Sequence, residues 1–226
     1  MKNILIISII YFSFNSAFCQ TKSEKLEYAE VFSIFNFSLS GSNSVIEQYN
    51  DFNDASLKQV SDNADPIFGY SSILQYGNYN KASINLADNG NVNTIGQYGN
   101  YNSAYINQVS GTSSTGNLGV IYQYLQNNSA SITQTGSNNK SYIGQAGVGN
   151  NASATVSGNN NNTGILQLGN NNTASQDITG DSKGYLILQM GNNNTFSQIG
   201  SNEAVSGYKI YQTGSGMNLK ILNGRY

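Results

Sequence analysis

The stretch that decides the fold reads Thr94-Ile95-Gly96-Gln97-Tyr98-Gly99, a short link, and then Asn102-Ser103-Ala104-Tyr105-Ile106-Asn107-Gln108. Every second residue of each half falls on one side, and this period of two is typical of a β-strand. The link between the halves is rich in Asn, which tolerates positive φ, so it predicts a turn. The stretch therefore predicts one strand-turn-strand unit.

Copies of this unit follow one another along most of the chain, and their regular spacing is 22 residues. Eight glutamines mark the copies: Gln48, Gln75, Gln97, Gln123, Gln145, Gln167, Gln189 and Gln212. Six are followed two residues later by glycine: Gly77, Gly99, Gly147, Gly169, Gly191 and Gly214. Seven are followed five residues later by Asn: Asn53, Asn80, Asn102, Asn128, Asn150, Asn172 and Asn194. Six are followed seven residues later by Ala: Ala55, Ala82, Ala104, Ala130, Ala152 and Ala174.

One strand-turn-strand unit is marginal alone, but stacked copies bury a continuous core. The repeats predict an all-β fold, a cross-β-like β-solenoid of about eight strand-turn-strand rungs with a 22-residue period. The alanines are expected in its core and the glycines in its turns. The marker Gln and Asn side chains are expected to face inward, where a buried amide is costly unless it is bonded. Ladders of amides on successive rungs supply those bonds and are a feature of cross-β assemblies.

Three segments are expected along the chain. Residues 1–19 have a basic start, an apolar run and a small-residue end, and so predict a secretory signal peptide. A lipoprotein signal with an acylated Cys19 is the alternative, although bulky Phe18 precedes that cysteine. Residues 20–43 form a non-repeat leader, and residues 44–226 hold the eight repeats. Two longer intervals predict loop insertions at 60–69, which contains the only proline, and at 110–119.

The composition excludes several kinds of chemistry. The 226 residues contain no His and one Cys, so a His/Cys zinc site and a His-based catalytic triad are excluded. A net charge of −2 offers no field for nucleic acid or a membrane surface. Carboxylate pairs such as Asp51 and Asp54 come without a pocket-forming insertion, and catalytic sites usually add Arg or Lys nearby. We therefore expect no enzyme activity, no cofactor and no metal.

The pattern Gln-x-Gly-x-x-Asn-x-Ala-x-x-x-Gln, at a 22-residue period behind a signal peptide, resembles the curlin repeat of bacterial curli subunits. The resemblance covers about residues 44–226, although only Gln59, Gln108 and Gln134 supply the final Gln. It implies a secreted structural subunit of an extracellular functional amyloid fibre (a fimbrium- or pilus-like structure), with roles in cell adhesion and biofilm matrix. The implied partners are itself, other curli subunits and a dedicated outer-membrane export channel. The implied location is the surface of a Gram-negative-type bacterium, and both a major fibre subunit and a minor nucleator remain open.

The physics of the chain points the same way. A solenoid with open ends leaves bare strand edges, which recruit other chains. From Asn89 to Gln176 the only charged residue is Lys140, and low charge without proline favours cross-β stacking. A monomeric secreted solenoid that binds a glycan or a surface ligand is the alternative. In that interpretation the outward tyrosines Tyr49, Tyr76, Tyr98 and Tyr124 would form an adhesive stripe, whereas otherwise they are ordinary β-formers.

The charges gather near the two ends of the repeat array. The first rung carries Glu47, Asp51 and Asp54, and the C-terminal part carries Lys209, Lys220 and Arg225. One interpretation is that these charges only form a solvated face, because exposed ion pairs contribute little stability. The alternative is that the acidic first rung of one molecule pairs with the basic last rung of the next and so sets the polarity of the fibre. The leader is expected to cap the first rung, and the resemblance implies that an export channel recognises it.

Overall fold

The computed structural model describes residues 9–12, 34–37, 43–60, 69–87, 90–110, 116–200 and 207–222. Its elements are all β-strands, paired in parallel. Two short strands, β1 (Ile9–Phe12) and β2 (Ile34–Phe37), pair with each other in a separate sheet. Within the described residues, nothing helical reaches the length and apolarity that a membrane crossing requires.

Sixteen further strands form two parallel sheets of eight strands each. We call them the odd sheet and the even sheet after the strand numbers. The odd sheet contains β3 (Asn43–Tyr49), β5 (Tyr70–Tyr76), β7 (Val92–Asn100), β9 (Leu118–Gln126), β11 (Lys140–Val148), β13 (Asn162–Leu168), β15 (Gly184–Met190) and β17 (Gly207–Thr213). The even sheet contains β4 (Asp54–Val60), β6 (Lys81–Ala87), β8 (Ser103–Ser110), β10 (Ser129–Gly136), β12 (Asn151–Ser157), β14 (Thr173–Thr179), β16 (Thr195–Ile199) and β18 (Asn218–Leu222).

Each odd strand, its turn and the following even strand make one rung, and the eight rungs stack in sequence order. The predicted all-β solenoid is therefore confirmed. Marker glutamines pair with marker glutamines: Gln97 lies in register with Gln75 on one side and Gln123 on the other. Because the inward faces of both sheets meet inside the rungs, the core runs the whole length of the stack.

Strands reach into the ends of both longer intervals. Val60 and Ser110 are the last residues of β4 and β8, in register with Ala87 and Gly136. Leu118 and Gly119 already belong to β9, where they pair with β7. Ladder hydrogen bonds with neighbouring rungs extend the strands into both ends of the longer intervals. Residues 61–68 and 111–115 lie outside the described part, as do most of the expected signal peptide and leader.

Candidate assembly interface

The marker glutamines form one unbroken row inside the odd sheet. From Gln75 to Gln212 the seven members are buried, and Gln48 in the first rung is half-buried. In each step the Nε2 atom donates to the Oε1 atom of the next rung, beginning with Gln48 to Gln75 at 2.7 Å. The other six distances, from Gln75 to Gln212, are 2.8–2.9 Å. All donors point the same way, so the row has a direction.

The second N–H of each buried marker amide also has an acceptor. The Nε2 atom of Gln97 donates to the Lys81 carbonyl at 3.0 Å, and that of Gln145 to the Ser129 carbonyl at 2.9 Å. Each carbonyl belongs to the first residue of an even strand in the preceding rung. Burial of the amide is tolerated because its two N–H groups and its oxygen are all bonded. A Gln at this position therefore has hydrogen-bond partners in both the preceding and the following rung.

The asparagine row follows the turn and bonds mainly to backbone. The backbone N–H of Asn150 donates to the Oδ1 atom of Asn128 at 3.1 Å, and its Nδ2 atom donates to the Gly169 carbonyl at 2.7 Å. Asn102 and Asn172 repeat this pattern on their own neighbours. Each side chain thus satisfies turn groups that a strand ladder leaves unpaired. In the last rung the N–H of Met217 donates to Asn194 Oδ1 at 3.1 Å, and no amide follows.

Glycine is required at the turn for two reasons, which Gly147 illustrates. Its φ is +139°, a conformation that side chains disfavour. A Cβ there would also lie 1.8 Å from the Gly169 carbonyl oxygen of the next rung. The other predicted turn glycines, at 77, 99, 169, 191 and 214, all have φ between +115° and +133°.

A second asparagine row, which the sequence analysis missed, lies at the opposite corner of the rungs. Asn91, Asn117, Asn139 and Asn161 are buried there. The backbone N–H of Asn139 donates to Asn117 Oδ1 at 3.0 Å, and that of Asn161 donates to Asn139 Oδ1 at 3.1 Å. In most rungs these residues stand 16 positions after a marker Gln, which is a signal the sequence carried.

The core contains more than the predicted alanines. Ala82, Ala104, Ala130, Ala152 and Ala174 are buried, and Ala55 in the first rung is half-buried. Between the Gln row and the strand starts runs an isoleucine row, two residues before each marker Gln. Its members are Ile46, Ile73, Ile95, Ile121, Ile143, Ile165, Ile187 and Ile210, of which the middle six are 0% exposed. These isoleucines supply the odd sheet's apolar part of the core, and they are not among the core residues predicted from the sequence.

Two glutamines of the even sheet break this core. Gln176 and Gln198 lie in register with each other, in the column that Ile84, Ile106 and Ile132 occupy elsewhere. Both are buried, and neither amide makes a hydrogen bond within the described residues. Buried amides without partners destabilise a core, so the sixth and seventh rungs are weaker than the central ones.

Aromatic residues stack along the outside of the first turns. Tyr98 and Tyr124 stack with their ring centroids 5.2 Å apart, and Tyr49 and Tyr76 lie 6.0 Å apart. A second row stacks Phe52, Tyr79 and Tyr101 at 4.8 and 4.9 Å. Burial, assisted by neighbouring Tyr124, Tyr122 and Glu47, raises the pKa of Tyr98 to about 12.

The end charges are placed as follows. Asp54 lies 3.9 Å from Lys81 of the second rung, and both side chains are largely exposed. Burial raises the pKa of Glu47, partly offset by a hydrogen bond with Tyr49. Asp51, Lys209 and Lys220 are exposed, and Arg225 lies outside the described residues. An exposed pair such as Asp54–Lys81 contributes about 0–1 kcal/mol.

Both sheets end in unpaired edges within the described residues. At one end the edge strands are β3 and β4, and at the other they are β17 and β18. The Gln row reaches both edges, from Gln48 to Gln212. Such edges present unpaired backbone groups to any chain with a matching strand.

A family model described as the curlin associated repeat matches residues 126–157. Residues 126–157 are therefore identified as a curlin associated repeat. The matched stretch runs from the end of β9 through β10, β11 and β12, and the neighbouring rungs continue its strand register. A search of the curated proteins found no match to the chain. The curlin repeat is a structural repeat, and together with the solenoid it fits a structural subunit of the curli type.

Proposed function

We propose that this curlin-repeat protein is a secreted structural subunit of an extracellular curli-type amyloid fibre that serves cell adhesion and biofilm matrix. The observation that carries the proposal is the directional Gln row. Among the described residues, the Gln212 amide has a donor available along the axis at one end, and the Gln48 Oε1 atom at the other end receives no side-chain donor from an earlier rung. A second molecule stacked on the open edge continues both the row and the strand ladders.

Fibre formation is tested by diluting denatured, purified chain and following thioflavin T fluorescence. We expect a lag followed by growth, and fibres with a spacing of about 4.8 Å along the axis. A flat trace over days with a monomeric sedimentation profile would reject the fibre.

The exposed aromatic rows favour the second candidate, a monomeric solenoid that binds a glycan. However, Phe52, Tyr79 and Tyr101 stack face to face, so Tyr79 has both ring faces covered and the two outer rings each have one face covered. Carbohydrate binding would need those faces, and this argues for the fibre. The two candidates differ in the sedimentation experiment, because only the second expects a stable monomer.

Export and location belong to the same proposal. The leader, residues 20–43, would be recognised by an outer-membrane channel, after which the chain would assemble at the surface of a Gram-negative-type bacterium. Deleting residues 20–43 is expected to abolish surface fibres while purified chain still polymerises. Normal surface fibres from the deletion would overturn the export role.

The end charges are proposed to bias fibre polarity. In the strand register, Lys220 of the last rung lies in the same column as Ser56 of the first rung. When a second molecule stacks on the last rung, Lys220 therefore lies near both Asp54 and Lys58, which flank Ser56 on the same face of the strand. Attraction and repulsion therefore compete at the junction, and the net effect is screened by salt. A lag time that does not change between low and high salt would count against a charge-set polarity.

A further inference from the structure

The two outer faces of the solenoid differ in chemistry. The outer face of the even sheet is built largely from Ser, Thr and Asn. The outer face of the odd sheet carries mainly Leu, Tyr, Val and Gly, and we call this the odd face. Its exposed members include Tyr76 at 48%, Tyr142 at 44% and Met190 at 42%. An apolar face on one side of a largely polar rod marks an interaction surface.

Glycines make the odd face flat. Gly96, Gly144 and Gly164 point outward and yet are buried, because larger side chains from the next rung lie over them. A Cβ at Gly96 would lie 2.6 Å from the Tyr122 ring, and one at Gly164 would lie 2.9 Å from Leu186 Cδ1. The rings and leucines therefore lie along the sheet over these glycines, and an open groove lined by Tyr142, Gly164, Leu186 and Lys209 crosses the same face.

The middle six strands of the odd face carry almost no charge, and Glu47 of β3 and Lys209 of β17 lie at its two ends. In β5 to β15 the one charged residue whose side chain points outward from this sheet is Lys140, at the start of β11. Burial raises the pKa values of Tyr98, Tyr122 and Tyr142, as expected of hydroxyls on a poorly hydrated surface. Little charge has to be desolvated when this face is covered.

The dimensions of the odd face suit a stable contact. Eight strands at about 4.8 Å and seven residues at about 3.3 Å give a surface of roughly 38 by 23 Å. That is comparable with the roughly 800 Å² per partner of a standard protein interface. A second copy of this chain is the partner that fits best. Its odd face has the same spacing between rungs, so each strand of one copy can lie opposite a strand of the other.

We propose that the odd face is the lateral interface between two solenoid stacks that lie side by side. Their odd faces pair in a dry steric zipper. The pairing rests on the proposed function, since it concerns the side contacts of the same fibre. It also applies to the folded chain in solution, where the odd face would make a dimer. The even faces of both solenoids then remain in water.

Mass per unit length of the fibre, measured by electron microscopy, tests the pairing. The test variant is Leu166→Lys on the odd face, and the matched control is Ser175→Lys. Both side chains are half-buried, point outward and occupy opposite positions of the same rung. We expect wild type and S175K to have twice the mass per length of L166K. If L166K forms no fibre, the uncharged Leu166→Gln variant takes its place with the same expectation.

Several outcomes would overturn the lateral pairing. Wild-type fibres with the mass per length of a single stack would do so, and so would L166K fibres as massive as wild type. If wild-type fibres are single stacks and their mass per length doubles when residues 20–43 are deleted, the leader covers the odd face instead.

Failure of the proposed function is distinguishable from failure of the pairing. If wild type forms no fibre, sedimentation of the folded soluble chain decides the pairing alone. The pairing is supported if wild type and S175K sediment as dimers and L166K sediments as a monomer. A monomeric wild type would overturn the pairing.

Discussion

Gln145 donates from its Nε2 atom to the Oε1 atom of Gln167 at 2.8 Å, and both amides are buried. Replacing Gln145 with Leu would leave the Gln167 oxygen and the Ser129 carbonyl without this donor, and the Gln123 Nε2 atom without its acceptor. Each unsatisfied buried group costs about 1–3 kcal/mol, so we expect a stability loss of about 2–5 kcal/mol. Urea unfolding followed by circular dichroism measures it. Exposed Gln126→Leu is the control, with an expected change within about 0.5 kcal/mol; equal effects of the two variants would contradict the amide row.

Gly147→Ala tests the close approach of the turns. The added methyl would meet the Gly169 carbonyl, and the backbone would be strained as well, so we expect a loss on the order of 3–5 kcal/mol. Gly216→Ala shares a positive φ, at +70°, but a Cβ there meets nothing within 4 Å. The control should lose only about 1–2 kcal/mol. Thermal unfolding compares the two variants, and an equal shift would mean that the rungs are not this close at the turn.

Met217→Asn tests whether the asparagine row limits growth at the C-terminal edge. The new Oδ1 atom could accept the N–H of Asn53 in a following copy, as Asn194 does for Met217. One added hydrogen bond of about 1 kcal/mol would lower the concentration of unpolymerised chain at equilibrium by about fivefold. Met217→Leu, which adds no acceptor, should leave that concentration near the wild-type value. If M217N also left it unchanged, the junction would not continue this row.

Glu47 predicts a dependence of stability on pH. Burial raises its pKa in the folded state, so folding favours the protonated form. This contribution is present below the ordinary pKa of a glutamate and is lost as pH rises through the raised value. Denaturation midpoints measured across that window should therefore fall with rising pH in wild type. Glu47→Gln should reduce this dependence, and an unchanged slope would contradict the assignment.

Much of the rung could be predicted because the marker residues recur at fixed positions. A period of two around Gln97 indicated strands, and Gly and Asn indicated the turn. The second asparagine row escaped notice because the longer interval before Asn117 shifts it away from the 16-residue offset. The strands extend to Val60 and begin again at Leu118 because pairing with a neighbouring rung, rather than local propensity, determines where these strands end.

The sequence by itself determined the solenoid, because identical residues at one spacing align only when the rungs stack in register. Tertiary structure decided what each repeated side chain bonds to. The Asn128 oxygen meets a backbone N–H of the next rung, a contact that depends on the turn geometry. The tertiary structure also decided that the Tyr122 ring lies over Gly96 on the odd face. The spacing of a sequence repeat specifies which residues lie in the same column of the sheet. The orientation of an aromatic ring depends instead on the space that its neighbours in three dimensions leave open.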